Sequence, residues 1–173
     1  MTKNGNILTR RYNSPCGDLL LGSLGDRLCL CNWVEEKHPG RVSGRLQAFF
    51  GCSFEEAFSD VTSEAARQLD EYFRKERKTF DIPLLFAGTE FQVKVWKGLL
   101  EIPYGQTVSY GGLASSLGVP RAVRAVANAN AANAISIFVP CHRVIGSGGT
   151  LTGYGGGIEA KRFLLELENV AVL

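Results

Sequence analysis

Two regions of different hydrophobic texture meet near Pro83, and this restricts the fold more than any other feature of the chain. In the first, residues 15–34 (PCGDLLLGSLGDRLCLCNWV) place two apolar runs on either side of Gly25 and Asp26, the pattern of a β-hairpin. Cys29 and Cys31 alternate with Leu28 and Leu30 and read as one face of a strand. A polar stretch follows, and then SEAARQLDEYFRKERKTF reads as a helix with Ala66, Leu69 and Phe73 on one face. The second region opens with TEFQVKVWKGLLEIPYGQ, where Thr89 and Gln92 have capping-box spacing, Val95, Trp96 and Leu99 recur at helical intervals, and IPYG stops the helix. The expected fold class is therefore α/β in two parts. An N-terminal α/β domain spans 1–80 and a mainly helical domain spans 81–173, with FDIPLL around Pro83 as the linker.

Bulk properties exclude several classes of function. The chain has 173 residues, 45% hydrophobic and 21% charged, with a formal net charge of +2, so affinity for nucleic acid must come from a local patch. No apolar run approaches a membrane span, and MTKNGNILTRRY lacks the apolar core of a secretory signal, so a cytoplasmic or nuclear location is expected. Five cysteines are an odd number, and in a reducing compartment they are expected as free thiols. Cys16, Cys29, Cys31 and Cys52 lack paired C-x-x-C spacing, and His38 is the only histidine besides His142, so no structural metal site is expected.

The segment SYGGLASSLGVPRAVRAVANANAAN breaks at Gly118 and Pro120 into two short helical pieces, the outline of a helix-turn-helix. In the second piece Arg121 and Arg124 fall three apart, on one face, among Ala122, Val123, Ala125 and Ala127. Those small residues allow close approach to a groove but offer few groups to read base edges. An alanine-rich core helix with two solvated arginines has the same pattern.

Downstream, ISIFVPCHRVIGSGGTLTGYGGG reads as an apolar strand ending at Pro140, then Cys141, His142 and Arg143, then a glycine-crowded loop. A thiol attacks as the thiolate and needs a group to take its proton, which His142 could supply through a turn or a bridging water. The terminal helix GIEAKRFLLELEN offers an orienting carboxylate: Ala160, Phe163, Leu164 and Leu167 form its apolar stripe, and Glu168 stands at the edge. Glu159 and Glu166 fall nearer the solvent side. The glycines of GYGGG are no phosphate loop, since the G-K-[ST] ending is missing. A buried structural thiol is the bland alternative.

PCHRV at 140–144, with IPYGQTVSYGGLA before it and GYGGG and KRFLLELE after it, resembles the O6-alkylguanine-DNA alkyltransferases over about residues 83–168. SPCGDLLL resembles, more loosely, the opening strand of that family's N-terminal domain. The resemblance implies a ribonuclease-H-like first domain and irreversible transfer of the alkyl group from O6-alkylguanine, or O4-alkylthymine, in double-stranded DNA to Cys141. It also implies one turnover per molecule, no cofactor, and a monomer bound through the minor groove. His142 would relay the thiol proton through a water, held by Glu168. Tyr110 would turn the phosphate and protonate the departing guanine, and Asn133 would brace the turn before the active-site strand. Arg124 would fill the gap left by the flipped base, with Arg121, Ser109, Ala122 and Val123 along the DNA contact. Val144, Tyr154, Gly155 and Gly156 would line the alkyl pocket. The zinc site of some members is not reproduced here, and Asn130 and Ala131 stand where some relatives carry a bulkier or basic DNA-contacting residue. Two rivals remain at this stage: a lesion-binding protein without transfer, although relatives of that kind lack the acceptor cysteine, and a cysteine hydrolase using Cys141, His142 and Glu168.

Overall fold

The computed structural model describes residues 5–172; residues 1–4 of the opening stretch and residue 173, the end of the second expected domain, lie outside them. The chain divides at Ala87/Gly88 into two compact units. The first carries a four-stranded sheet in the order β3-β2-β1-β4, from β1 (Ile7–Ser14), β2 (Gly17–Leu24), β3 (Arg27–Trp33) and β4 (Phe54–Glu56). β1, β2 and β3 form an antiparallel meander, and β4 pairs parallel with β1. The expected hairpin is β2–β3, with Gly25 in the left-handed region at φ 61°. Gly22 cannot carry a side chain, because a Cβ there would lie 2.9 Å from Leu30 Cβ. Leu28, Cys29, Leu30 and Cys31 are all buried, so β3 is covered on both faces and its alternation does not mark an inner and an outer side.

The polar stretch after Trp33 contains α1 (Arg41–Phe50), whose Leu46 is its only buried residue, and the short β4. So narrow an apolar face leaves little period to read. The next helix, α2 (Asp60–Phe73), starts three residues earlier than its apolar spacing implies, because Ser59 accepts a hydrogen bond from Thr62 N. Its inward face is Ala65, Ala66, Leu69 and Tyr72, and Phe73 is only half-buried, a correction to the expected stripe. FDIPLL is not a free linker: Leu28 N donates to Pro83 O and Leu85 N donates to Leu28 O, both at 2.9 Å. These bonds tie residues 83–85 to β3, which moves the boundary from 80/81 to 87/88.

The second unit is mainly helical: α3 (Glu90–Leu99), α4 (Tyr110–Ser116), α5 (Val123–Ala131) and α6 (Ile158–Leu167), with a two-stranded parallel sheet of β5 (Val108–Ser109) and β6 (Val144–Ile145). Thr89 and Gln92 form the expected capping box on α3, which buries Val95, Trp96 and Leu99. The Trp96 indole donates to Ala129 O at 2.8 Å and fixes α3 against α5. Among the described residues no helix is long and apolar enough to cross a membrane, and no three His, Cys, Asp or Glu side chains come together as metal ligands.

Candidate active site

The run before Cys141 is not a strand. Asn133 Oδ1 accepts from Ile135 N and its Nδ2 donates to Val139 O, each at 3.0 Å, while Val139 N donates to Ile135 O. Ile137 sits at φ 73°, unusual for a β-branched residue and sustained here by complete burial. An apolar, β-branched run satisfies a strand pattern, but these buried backbone groups find local partners and fold into tight turns. Asn133 therefore braces a turn that leads to another turn: Cys141–Arg143 is a short 3-10 helix, with Arg143 N donating to Pro140 O at 3.0 Å. Val144, fully buried, continues into β6 opposite Val108 of β5, whose next residue caps α4.

This turn presents three consecutive buried side chains. Cys141 is 5% exposed and His142 and Glu168 are at 0% and 1%. His142 Nε2 lies 2.7 Å from Glu168 Oε2. Arg143, which the sequence reading left unassigned, donates from Nε to Glu168 Oε1 at 2.8 Å, from Nη2 to Oε2 at 3.1 Å and from Nη1 to Ile102 O at 2.7 Å. Gly105 N adds a fourth donor to the same carboxylate at 3.3 Å. Burial alone would push the Glu168 carboxyl up, but the hydrogen bonds and charge of His142 and Arg143 outweigh it and hold the group well below the carboxylate range. An ionised carboxylate can only accept, so His142 carries its proton on Nε2 and leaves a lone pair on Nδ1. Burial lowers the His142 pKa and keeps the ring neutral, and among the described residues nothing hydrogen-bonds to its buried Nδ1.

α6 is turned relative to the expected stripe. Its buried residues are Ala160, Lys161, Leu164 and Leu165; Phe163 is exposed and Leu167 half-buried. Glu159 and Glu166 are exposed, as their spacing implies. The rotation puts Lys161 inside, seven residues before Glu168 on the same face, a signal that the reading of apolar residues alone passed over. Lys161 Nζ donates to Val144 O at 2.6 Å and to Thr152 O at 2.8 Å, tying the glycine loop to the strand that follows Cys141. Burial lowers its pKa to about 8. Burial also raises the Cys141 thiol, and a hydrogen bond from Asn133 and the Lys161 charge pull it partly back. At rest the thiol is protonated, so attack requires a base.

Tyr110 is the first residue of α4, half-buried, and its hydroxyl accepts from Thr152 Oγ1 at 3.3 Å. Ser109 caps α4 by accepting from Gly112 N at 2.9 Å. The helix-turn-helix is α4 and α5, joined through Gly118 at φ 75°. Arg121 lies in the turn and Ala122 is the N-cap, so Arg121 and Arg124 do not share a helix face; both are exposed, as is Val123. The turn forms because Ala122 N bonds Val119 O at 2.9 Å, which holds 121 out of the helix. Asn130 is buried and not available to a surface partner, whereas Ala131 is exposed. In the loop, Tyr154 and Gly156 are half-buried, Gly155 is exposed, and Tyr154 O accepts from Gly157 N at 2.9 Å.

The family description "6-O-methylguanine DNA methyltransferase, ribonuclease-like domain" matches residues 7–86, and its "DNA binding domain" matches 90–170. The chain belongs to this family. This family member is 46% identical over 168 residues to a methylated-DNA–protein-cysteine methyltransferase of Mycobacterium leprae, covering 96% of this chain and 95% of the relative. A protein of the same name from Methanosarcina barkeri is 57% identical over 151 residues, 87% of this chain and 95% of that one. The crystal structure of Mycobacterium tuberculosis OGT in complex with DNA superposes with a TM-score of 0.79 at 45% identity, covering 94% of this chain and 92% of that one.

Proposed function

We propose that this chain repairs alkylated DNA by direct reversal, moving the alkyl group from O6-alkylguanine, or O4-alkylthymine, to Cys141. The observation that carries the reading is a buried Cys141 next to a histidine hydrogen-bonded to a buried carboxylate, in the same compact unit as a helix-turn-helix with exposed arginines. An alkyl carbon on O6 is buried in the duplex, so the base must be extruded first. Arg124 enters the stack and fills the gap from the minor groove, while Arg121, Ser109, Ala122 and Val123 lie along the backbone. The extruded base rests against Val144, Tyr154, Gly155 and Gly156.

Transfer then needs a strong nucleophile and a stabilised leaving group. The thiol proton passes through a water to His142 Nδ1. The sulfur forms a bond to the alkyl carbon, the carbon–O6 bond breaks, and its electron pair goes to the guanine, which takes a proton from the Tyr110 hydroxyl. The Lys161 charge favours the thiolate at the moment of attack. The product is a thioether on the protein, which nothing in the site reverses, so each molecule acts once. The protein works as a cytoplasmic or nuclear monomer on double-stranded DNA.

Intact mass after incubation with duplex DNA carrying O6-methylguanine tests this. One methyl group should appear on Cys141 and none on Cys141→Ser. Repeated turnover by one molecule would instead make the site a hydrolase, and binding without any mass change would make the protein a lesion sensor.

A further inference from the structure

We propose that Arg143 is a positioning residue: by keeping Glu168 ionised, it leaves His142 Nδ1 unprotonated as the proton acceptor for Cys141. This rests on the alkyl-transfer reading above. The guanidinium makes two bonds to the Glu168 carboxylate and a third to Ile102 O, so its plane is fixed from two directions. The Tyr104 ring lies 5.8 Å from Arg143 Cζ and closes one side of it, while the Tyr104 hydroxyl donates to Leu167 O at 3.3 Å. Arg143, His142 and Glu168 are all buried, so the arginine charge is not replaced by solvent.

With Arg143 present, Glu168 and Arg143 cancel and the neutral imidazole bridges to Glu168 through a single hydrogen on Nε2. Remove the arginine charge and the pair becomes a buried anion, which takes up a proton. If the proton goes to the imidazole, the resulting imidazolium bears hydrogen on both nitrogens. If it stays on the carboxyl, that group donates to Nε2, and the neutral ring must then carry its own hydrogen on Nδ1. Either way Nδ1 loses its lone pair and Cys141 loses its base. The other titratable groups facing this site are Lys161 of α6, the Tyr104 hydroxyl and the Cys141 thiol, the last protonated at rest. α3 also packs on the turn, but it turns Val95, Trp96 and Leu99 inward and leaves Glu90, Lys94 and Lys97 exposed.

The test uses the free protein labelled with nitrogen-15 in its two histidines, His38 and His142, assigned with His38→Gln. Near neutral pH the wild type should show His142 protonated on Nε2 and bare on Nδ1. The opposite tautomer overturns the proposal without need of any variant. In Arg143→Met, Nδ1 should be protonated at the same pH. The acidic limb of its methyl-transfer profile should move up by roughly one to three pH units, the range an arginine imposes on a neighbouring carboxylate. Arg143→Lys, which keeps the charge and gives up the fork, should return the limb toward its wild-type position. A purely structural role predicts a uniform loss of rate, an unmoved limb and a bare Nδ1 in Arg143→Met, and that result overturns the proposal. The tautomer is read without DNA, so wild-type protein with the expected tautomer and no methyl uptake would sink the transfer reading alone.

Discussion

Glu168→Gln should destabilise the second unit sharply, because it strands a cation and does more than weaken a catalytic contact. The substituted amide could still accept through its oxygen, but its NH₂ would face a guanidinium that now has no negative partner. Breaking a buried ion pair by removing one member costs roughly 3–5 kcal/mol. A second route gives a similar size: the carboxyl falls from 4.5 to about 2 in the folded protein, which at about 1.36 kcal/mol per tenfold change in proton affinity is about 3 kcal/mol. A carboxyl whose folded pKa is depressed contributes its stabilisation above the unfolded pKa, and that contribution fades as pH falls toward the folded value. The gap between wild type and Glu168→Gln is thus complete at neutral pH and narrows below about pH 4. The chain has two tryptophans, Trp33 in the first unit and Trp96 in the second, so a Trp33→Phe background makes urea unfolding report Trp96. In that background Glu168→Gln combined with Arg143→Met should lose less stability than Glu168→Gln alone, since no charge is stranded. A single mutant within about 1 kcal/mol of wild type at neutral pH, the size of an ordinary hydrogen bond, would refute the anchoring role.

Three further outcomes bear on the proposed reaction. Arg124→Ala should slow repair of duplex DNA far more than reaction with the free alkylated base, and equal losses on both would remove Arg124 from base extrusion. Lys161→Met should raise the pH at which Cys141 becomes thiolate, measured as the ultraviolet absorbance lost in the matching Cys141→Ser protein; an unchanged thiol would confine Lys161 to holding Val144 and Thr152. Gly156→Arg should keep much of its methyl transfer and lose most of its benzyl transfer, with a melting curve to confirm the fold. Equal loss on both substrates in a folded variant would place the alkyl pocket elsewhere.

Features that close within a few residues are readable from the order of the amino acids alone. The β2–β3 turn at Gly25, the Thr89–Gln92 capping box and the break at Gly118 between α4 and α5 each depend on local dihedrals and neighbouring hydrogen bonds, which residue type dictates directly. The meeting of His142 with Glu168 was also legible, from the place of Glu168 at the edge of the last helix's apolar residues. Which charges are buried together depends on packing between segments far apart in the chain. The apolar run 135–139 has a strand's composition, yet it becomes turns because Asn133 satisfies its backbone within the core. Lys161 and Arg143 look like surface cations in any linear pattern. They are buried because distant carbonyls at 102, 144 and 152 and one carboxylate, 25 residues on from Arg143, meet their donors. A buried charge is tolerable only where such partners converge, and that convergence is a property of packing in three dimensions, which no local period records.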